Sequence, residues 1–254
     1  MRSGRAALVF LAVLSSALVS RAENEKQSTF LTNVIRIHTE VVKAHYSSAK
    51  LFQMELLDVA PITLGRDCTQ RLQVNSAFTI DSNLKYIAVS SVFSACDGSL
   101  KSLPSVLERT FLTSPCGPRY AAEQANKSCG SPLNAPEPAN LHLPLMGLDI
   151  RWSSALASLE SREVDLSQPY DIWIATAARV AGHLQDFDFT EPQRLAERLQ
   201  SIDPKSALIL FRGRAMHPGE NLATIALVQA GTGQILAVNE RTPLKMAPPV
   251  RPNY

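Results

Sequence analysis

The sequence predicts an α/β (α+β) fold: a mixed β-sheet with flanking helices, an N-terminal helix, a C-terminal β-hairpin and a disulfide-bonded central loop. Apolar residues recur at three- and four-residue steps early in the chain, which is the period of a helix face. Apolar runs of strand length occur in both halves. A stretch rich in proline and cysteine separates the halves. With 45% hydrophobic and 19% charged residues, the composition is typical of a globular protein.

Residues 1–22 have the pattern of a cleavable signal peptide. Two arginines precede an apolar run that reaches Val19, and small residues occupy Ser20 and Ala22, where a signal peptidase reads the chain. The run is shorter than the roughly 20 residues that a membrane-spanning helix needs. We therefore expect an exported protein, periplasmic or secreted, with no stable membrane insertion after cleavage.

The charge of the chain comes largely from this leader. The leader holds three of the 25 Lys and Arg residues and none of the 23 Asp and Glu residues, which leaves 22 basic against 23 acidic residues. A nearly neutral mature chain has no overall field that attracts nucleic acid or an anionic membrane. We expect no nucleic-acid partner.

All four cysteines lie within one 62-residue block: Cys68, Cys96, Cys116 and Cys129. An even number of cysteines in an exported chain predicts two disulfides, with three possible connectivities. We favour Cys68–Cys96 together with Cys116–Cys129. The block has no C-x-x-C pair and no neighbouring histidine, so the spacing that zinc requires is absent, and we expect neither a metal nor a cofactor.

The first half of the domain is expected to combine an N-terminal helix with β structure. A helical period runs from Leu31 to Leu56, ahead of Pro61, and it carries His38 and His45, which we interpret as packed or half-buried histidines rather than metal ligands. The expected strands are 72–75, 77–80 and 86–93, followed by a helix over 103–112 with Pro104 in its first turn.

Residues 114–144 form the predicted loop or linker. Asn126 begins an N-x-S glycosylation acceptor within it, usable only in a eukaryotic host. The loop joins possible halves 23–113 and 145–242, for which we expect a single domain over 23–242.

The second half alternates strands and helices more regularly. Thr190 is a predicted N-cap and Pro192 a first-turn residue, and a proline-rich tail follows the last strand. The expected elements are helices 156–159, 177–187 and 192–202, strands 170–175, 207–211, 222–229 and 234–240, and the tail 243–254.

The order of these elements and one turn carry a resemblance to a known family. The segment 195–199 (LAERL) precedes a short strand, and 227–235 (LVQAGTGQI) forms the turn of the last hairpin. This part, 171–241, resembles the small α/β domain of bacterial envelope proteins of the curli-secretion lipoprotein and penicillin-binding-protein activator type. The resemblance covers less than a third of the chain, and it implies a periplasmic binding or assembly module.

Two sets of residues are candidates for a binding or catalytic site. Arg179, Arg212 and Arg214 form a candidate ligand-binding cluster, because guanidinium groups bind carboxylates and phosphates and ligands gather near strand ends. No G-x-S-x-G, H-E-x-x-H, Walker or G-x-G-x-x-G motif is present in the sequence. A hydrolase would need a site assembled from scattered residues such as Asp188, His217 and Glu220.

We therefore expect a non-catalytic binding or envelope-assembly accessory protein whose partner is another envelope or secreted protein. The 114–144 loop and the 243–254 tail are the expected contact segments, since extended proline-rich segments suit binding grooves. The alternative is a secreted or periplasmic hydrolase. Converging histidine and carboxylate side chains in one deep pocket would favour that alternative.

Overall fold

The structure, a computed structural model, describes most of the chain in segments: 30–59, 69–80, 85–110, 139–145, 152–162, 164, 166, 170–213 and 224–239. The predicted signal peptide, the acceptor Asn126 and the tail 243–254 lie outside the described residues. The helices in the described part are α1 (30–43), α2 (Trp152–Ser161), α3 (Ala177–Gly182) and α4 (Pro192–Gln200), with 3₁₀ turns at Ala139–His142 and Leu184–Asp186.

The strands form one sheet of eight. They are β1 (Lys50–Val59), β2 (Arg71–Thr79), β3 (Lys85–Ser94), β4 (Ser105–Thr110), β5 (Tyr170–Thr176), β6 (Ala207–Gly213), β7 (Thr224–Gln229) and β8 (Ile235–Val238). Their order across the sheet is β4-β3-β2-β1-β5-β6-β7-β8. The fold is therefore α+β, with the N-terminal helix and the C-terminal hairpin that the sequence predicts.

Every strand pair in this sheet is antiparallel, so the prediction of a mixed sheet was wrong. A strand–helix–strand order such as that around β5 and β6 is compatible with parallel pairing. A single crossover helix returns the chain parallel to its first strand. Two short helices, α3 and α4, lie between β5 and β6 instead, and the chain re-enters the sheet antiparallel.

The two halves of the chain are built alike. Each half has a helix followed by four strands in consecutive order, and β1 pairs with β5 where the halves meet. Apolar residues of α1 and α2 pack into one core against the same face of the sheet, which we call the inner face and which includes Leu56 and Ile172. α3 and α4 pack on the opposite, outer face, over Trp173 and Leu210.

The alternation of side chains explains the continuous apolar run at 207–211. In β6, Ile209 and Phe211 join the inner core, whereas Leu208 and Leu210 join the outer one. All four side chains are fully buried. A strand covered on both faces has no polar side to present, and the prediction of such a strand here is confirmed.

In the first half, the N-terminal helix is confirmed but is shorter than predicted, and a second predicted helix is wrong. The expected helix reached Leu56, whereas α1 ends at residue 43 and Lys50–Val59 form β1. The apolar positions of this segment, such as Met54 and Leu56, also fit a two-residue alternation, and pairing with two neighbouring strands decides the outcome. Residues 105–110, expected within a helix, form β4 because they pair with β3 in a hairpin.

One cap in the second half also differs. The N-cap of α4 is Glu191, without a side-chain cap hydrogen bond, and Thr190 instead contacts Asn239. Pro192 lies in the first turn as predicted. The cap prediction failed because the Thr190 hydroxyl has a long-range partner that outcompetes the local one.

The predicted disulfides extend beyond the described residues. Of the four cysteines only Cys96 is described, and it is not a free thiol. No disulfide joins two residues of the described segments, so both favoured pairings stay predictions. In the same part of the chain, the helices are all too short to cross a bilayer.

Candidate functional site

A groove runs between α4 and the edge strand β8. It encloses about 460 Å³, within the roughly 300–1,000 Å³ typical of ligand sites. Its walls come from the segment that enters α4, from one face of α4 and from β8. The lining residues are Phe189, Thr190, Glu191, Arg194, Leu195, Arg198, Leu236, Ala237, Val238 and Asn239.

The floor of the groove is apolar and buried. Phe189, Leu195 and Leu236 are 7%, 3% and 4% exposed and belong to the core on the outer face of the sheet. Their side chains are therefore packed from below by the close-packed core. The floor of the groove thus offers a preformed apolar surface.

The rim of the groove is cationic. Arg198 donates from Nη1 to the carbonyl oxygen of Leu236, 2.6 Å away. Arg194 donates from Nη1 to Glu191 Oε2 at 2.9 Å, and this carboxylate raises the pKa of Arg194. Glu191, Arg194 and Arg198 are the only charged residues among the described residues of the lining, and together they carry one excess positive charge. Each guanidinium has five N–H donors, and most of them remain available for a carboxylate.

Asn239 closes one end of the groove. Its Oδ1 accepts hydrogen bonds from the backbone N–H and the hydroxyl of Thr190, both at 3.2 Å, and its Nδ2 donates to the carbonyl oxygen of Asp188. The last residue of the hairpin is thereby tied to the segment that enters α4. The two walls are held together by side-chain hydrogen bonds as well as by the apolar floor.

Within the described residues, β8 has no strand on its outer side. An edge strand presents backbone N–H and C=O groups to any extended segment that approaches. Arg198 donates to one backbone carbonyl of this strand, that of Leu236. An incoming segment therefore meets a guanidinium beside the backbone edge, a combination that suits an extended chain bearing a carboxylate.

The predicted arginine cluster is brought together in part. Arg179 on α3 donates from Nε to Gln53 Oε1 at 2.7 Å and lies 4.9 Å from the centre of the Phe52 ring. Gln53 Nε2 contacts Glu55 Oε1 at 3.5 Å, and Arg212 Nη2 lies 3.8 Å from the same oxygen. A polar row on β1 thus links Arg179 to Arg212. Arg214 lies outside the described residues.

The contacts of this polar row are structural, and they leave little space for a ligand. Arg179 is 8% exposed, and the Glu55 carboxylate already occupies the space beside Arg212 that an anion would need. A buried guanidinium is stabilised by such internal partners.

Near this row, Asp171 Oδ1 accepts a hydrogen bond from the backbone N–H of Asp58. This bond stabilises Asp58 at its positive φ of 61°.

Of the hydrolase candidates, only Asp188 lies in the described part of the chain, and it is exposed. His217 and Glu220 lie outside the described residues, so a site that combines the three stays a prediction. His183 Nδ1 lies 3.0 Å from Asp186 Oδ2, three residues further on, and its ring stacks edge-on against Trp173. His183 is the C-cap residue of α3 through its backbone N–H, so this pair is a local contact at the end of that helix. No group of three or more metal-binding side chains occurs among the described residues.

The groove between α4 and β8 is not evident from the sequence. The sequence does place Arg194 and Arg198 four residues apart on the polar side of α4, and so on one helix face. What it does not show is that this face lies beside β8, about 40 residues later in the chain. Comparisons with protein-family models, with curated proteins and with solved structures find no match.

Proposed function

We propose that this protein is an exported, non-catalytic binding protein that holds an extended segment of another envelope or secreted protein in the groove between α4 and β8. The observation that carries the proposal is the combination of a packed apolar floor, an edge strand and two arginines in one groove. The floor suits apolar side chains, the edge strand suits an extended backbone, and the arginines suit carboxylates.

The chemistry of the groove specifies its occupant. The floor takes apolar side chains, and the excess positive charge favours acidic residues over basic ones. An extended strand alternates its side chains between two directions. The best fit is therefore a segment in which apolar and acidic residues alternate, with the apolar side chains on Leu195 and Leu236 and the carboxylates at the arginines.

The lining argues for binding rather than for chemistry. The described residues that line the groove include no histidine or cysteine, and their one hydroxyl, that of Thr190, donates to Asn239 instead of to a base. Nucleophilic catalysis needs a nucleophile paired with an oriented base. The predicted leader at residues 1–22 supports export, and the resemblance of residues 171–241 to envelope proteins supports a partner in the same compartment.

Fluorescence anisotropy with two synthetic peptides tests this proposal. A labelled octapeptide of alternating leucine and glutamate is titrated with the purified protein, and so is its counterpart in which lysine replaces glutamate. We expect saturable binding of the acidic peptide at low salt, weakened as salt screens the charges. The basic peptide is expected to bind at least about tenfold more weakly.

A matched pair of variants locates the binding. Arg194→Glu is expected to weaken the acidic peptide by about tenfold or more, because it reverses the charge at the rim. Arg36→Glu is the control: Arg36 is exposed on α1 and pairs with Glu40 as Arg194 pairs with Glu191, but α1 packs on the inner face of the sheet and α4 on the outer face. Equal binding of the two peptides, or equal loss in the two variants, would refute the proposal.

A further inference from the structure

The exposed large apolar side chains of the described part of the chain all lie in one segment at the other edge of the sheet. Leu103, Val106 and Leu107 are 89%, 41% and 50% exposed. β4 is the last strand at this end, so among the described residues its outer row of backbone groups has no strand partner. An edge strand with exposed apolar side chains is a template for pairing with another strand.

We propose that β4 pairs with the β4 of a second copy of this chain, antiparallel and about a two-fold axis, so that the two sheets become continuous. A two-fold contact uses the same surface on both copies, and the surface must therefore be complementary to itself. The proposal rests on β4 alone and is independent of the groove between α4 and β8.

The side chains of β4 select one register. Residues directly opposite in an antiparallel pair lie on the same face, so a two-fold axis normal to the sheet must place one residue opposite its own copy. Centring on Glu108 would place two carboxylates opposite each other, which is destabilising. Centring on Val106 would bring Pro104, which lacks an N–H, into the ladder.

The register centred on Leu107 avoids both problems. It places Leu107 opposite Leu107, Val106 opposite Glu108, and Ser105 opposite Arg109, with no like charges opposed. Glu108 is already paired with Lys85 of its own chain, so its charge needs no new partner. Antiparallel pairing of equivalent elements also occurs inside the molecule, where β1 and β5 join the two similar halves.

The contact should be weak. In this register five residues of each β4, 105–109, are paired, and such a contact covers far less than the roughly 1,600 Å² of a standard protein–protein interface. We therefore expect a monomer–dimer equilibrium with a micromolar or weaker dissociation constant. Leu107, opposite its own copy at the centre of the contact, supplies most of the apolar burial.

Sedimentation velocity over an about hundredfold concentration range tests the association. The dimer fraction is expected to rise with concentration in the unmodified protein and to vanish in Leu107→Lys, which opposes two charges at the axis. Gln73→Lys is the matched control, because Gln73 is exposed on β2, two strands inside the sheet. A monomer at every concentration, or a dimer that survives Leu107→Lys, would overturn the proposal.

Disulfide trapping tests the register. Under mild oxidation Leu107→Cys should give a covalent dimer on a non-reducing gel, because opposite β-carbons lie about 4.5–5.5 Å apart in such a pair. Ser105→Cys should not, since the two copies of residue 105 would lie about 14 Å apart along the strand direction. Efficient trapping of both positions, or of Ser105→Cys alone, would exclude the register centred on Leu107.

Discussion

His38 Nδ1 lies 2.7 Å from Ser76 Oγ, in the apolar interior between α1 and β2. Both side chains are buried, and the imidazole ring packs 5.3 Å from the ring of Phe93. Within the described segments, His38 Nε2 and the hydroxyl of Ser91 have no hydrogen-bond partners. Burial therefore lowers the pKa of His38 from 6.5 to about 4, because the imidazolium would lose its hydration without gaining a counter-charge.

This pKa predicts an acid-sensitive fold. In the unfolded chain His38 is protonated below pH 6.5, whereas in the folded chain it stays neutral down to about pH 4. The free energy of unfolding should therefore fall as the pH decreases through this window, by about 3 kcal/mol in total. Urea unfolding at a series of pH values measures the slope.

The variant His38→Leu isolates this contribution. It should lose the slope between pH 6.5 and about 4 that His38 causes, although it leaves Ser76 without its partner and is less stable at neutral pH. His45→Leu is the matched control, because His45 is exposed just beyond the end of α1. The same slope in His38→Leu and in the unmodified protein would contradict the assignment.

Arg179 ties α3 to β1 across 126 residues of sequence. Arg179→Lys keeps the charge but removes the planar group that stacks on Phe52 and the Nε donor to Gln53. We expect a loss of about 1–3 kcal/mol in chemical denaturation. Arg36→Lys on the surface of α1 should change stability by less than about 0.5 kcal/mol. Equal stability of Arg179→Lys and the unmodified protein would show that this contact is not structural.

Gly233 is required by the turn between β7 and β8. It has a φ of +73°, and a β-carbon there would lie 2.8 Å from the carbonyl oxygen of Ser154 on α2. Gly233→Ala should therefore destabilise the protein by about 1–3 kcal/mol in thermal or chemical unfolding. Gly231→Ala, in the same turn but without a positive φ, should have a much smaller effect. The reverse order would contradict this role of Gly233.

Local pattern predicted the second half of the fold well because its elements are short and strongly marked. The buried run at 207–211, the proline at the start of α4 and the glycine-bearing hairpin turn each have a local physical cause. In the first half, the apolar spacing from Leu51 to Leu56 fits both a helix and a strand, and only pairing with β2 and β5 decides between them. The same holds for β4, whose partner is β3.

The candidate sites likewise combine residues that the sequence indicates with long-range neighbours that it does not. The sequence singled out Arg179 and Arg212, and the structure places them on one face of the sheet, but their partners Gln53 and Glu55 come from the other half of the chain. The groove depends entirely on the packing of α4 beside β8. Residue types alone do not reveal such a neighbour, because nothing in a helix of nine residues specifies the strand it lies against.

The chemical shifts of backbone amides test the binding proposal most directly. The ¹H–¹⁵N spectrum of the labelled protein is recorded while the peptide of alternating leucine and glutamate is added. The proposal predicts that the largest shift changes fall on Leu195 and on residues 236–239, which line the groove. Unchanged shifts there at saturating peptide, or changes concentrated at β4 or elsewhere, would contradict it.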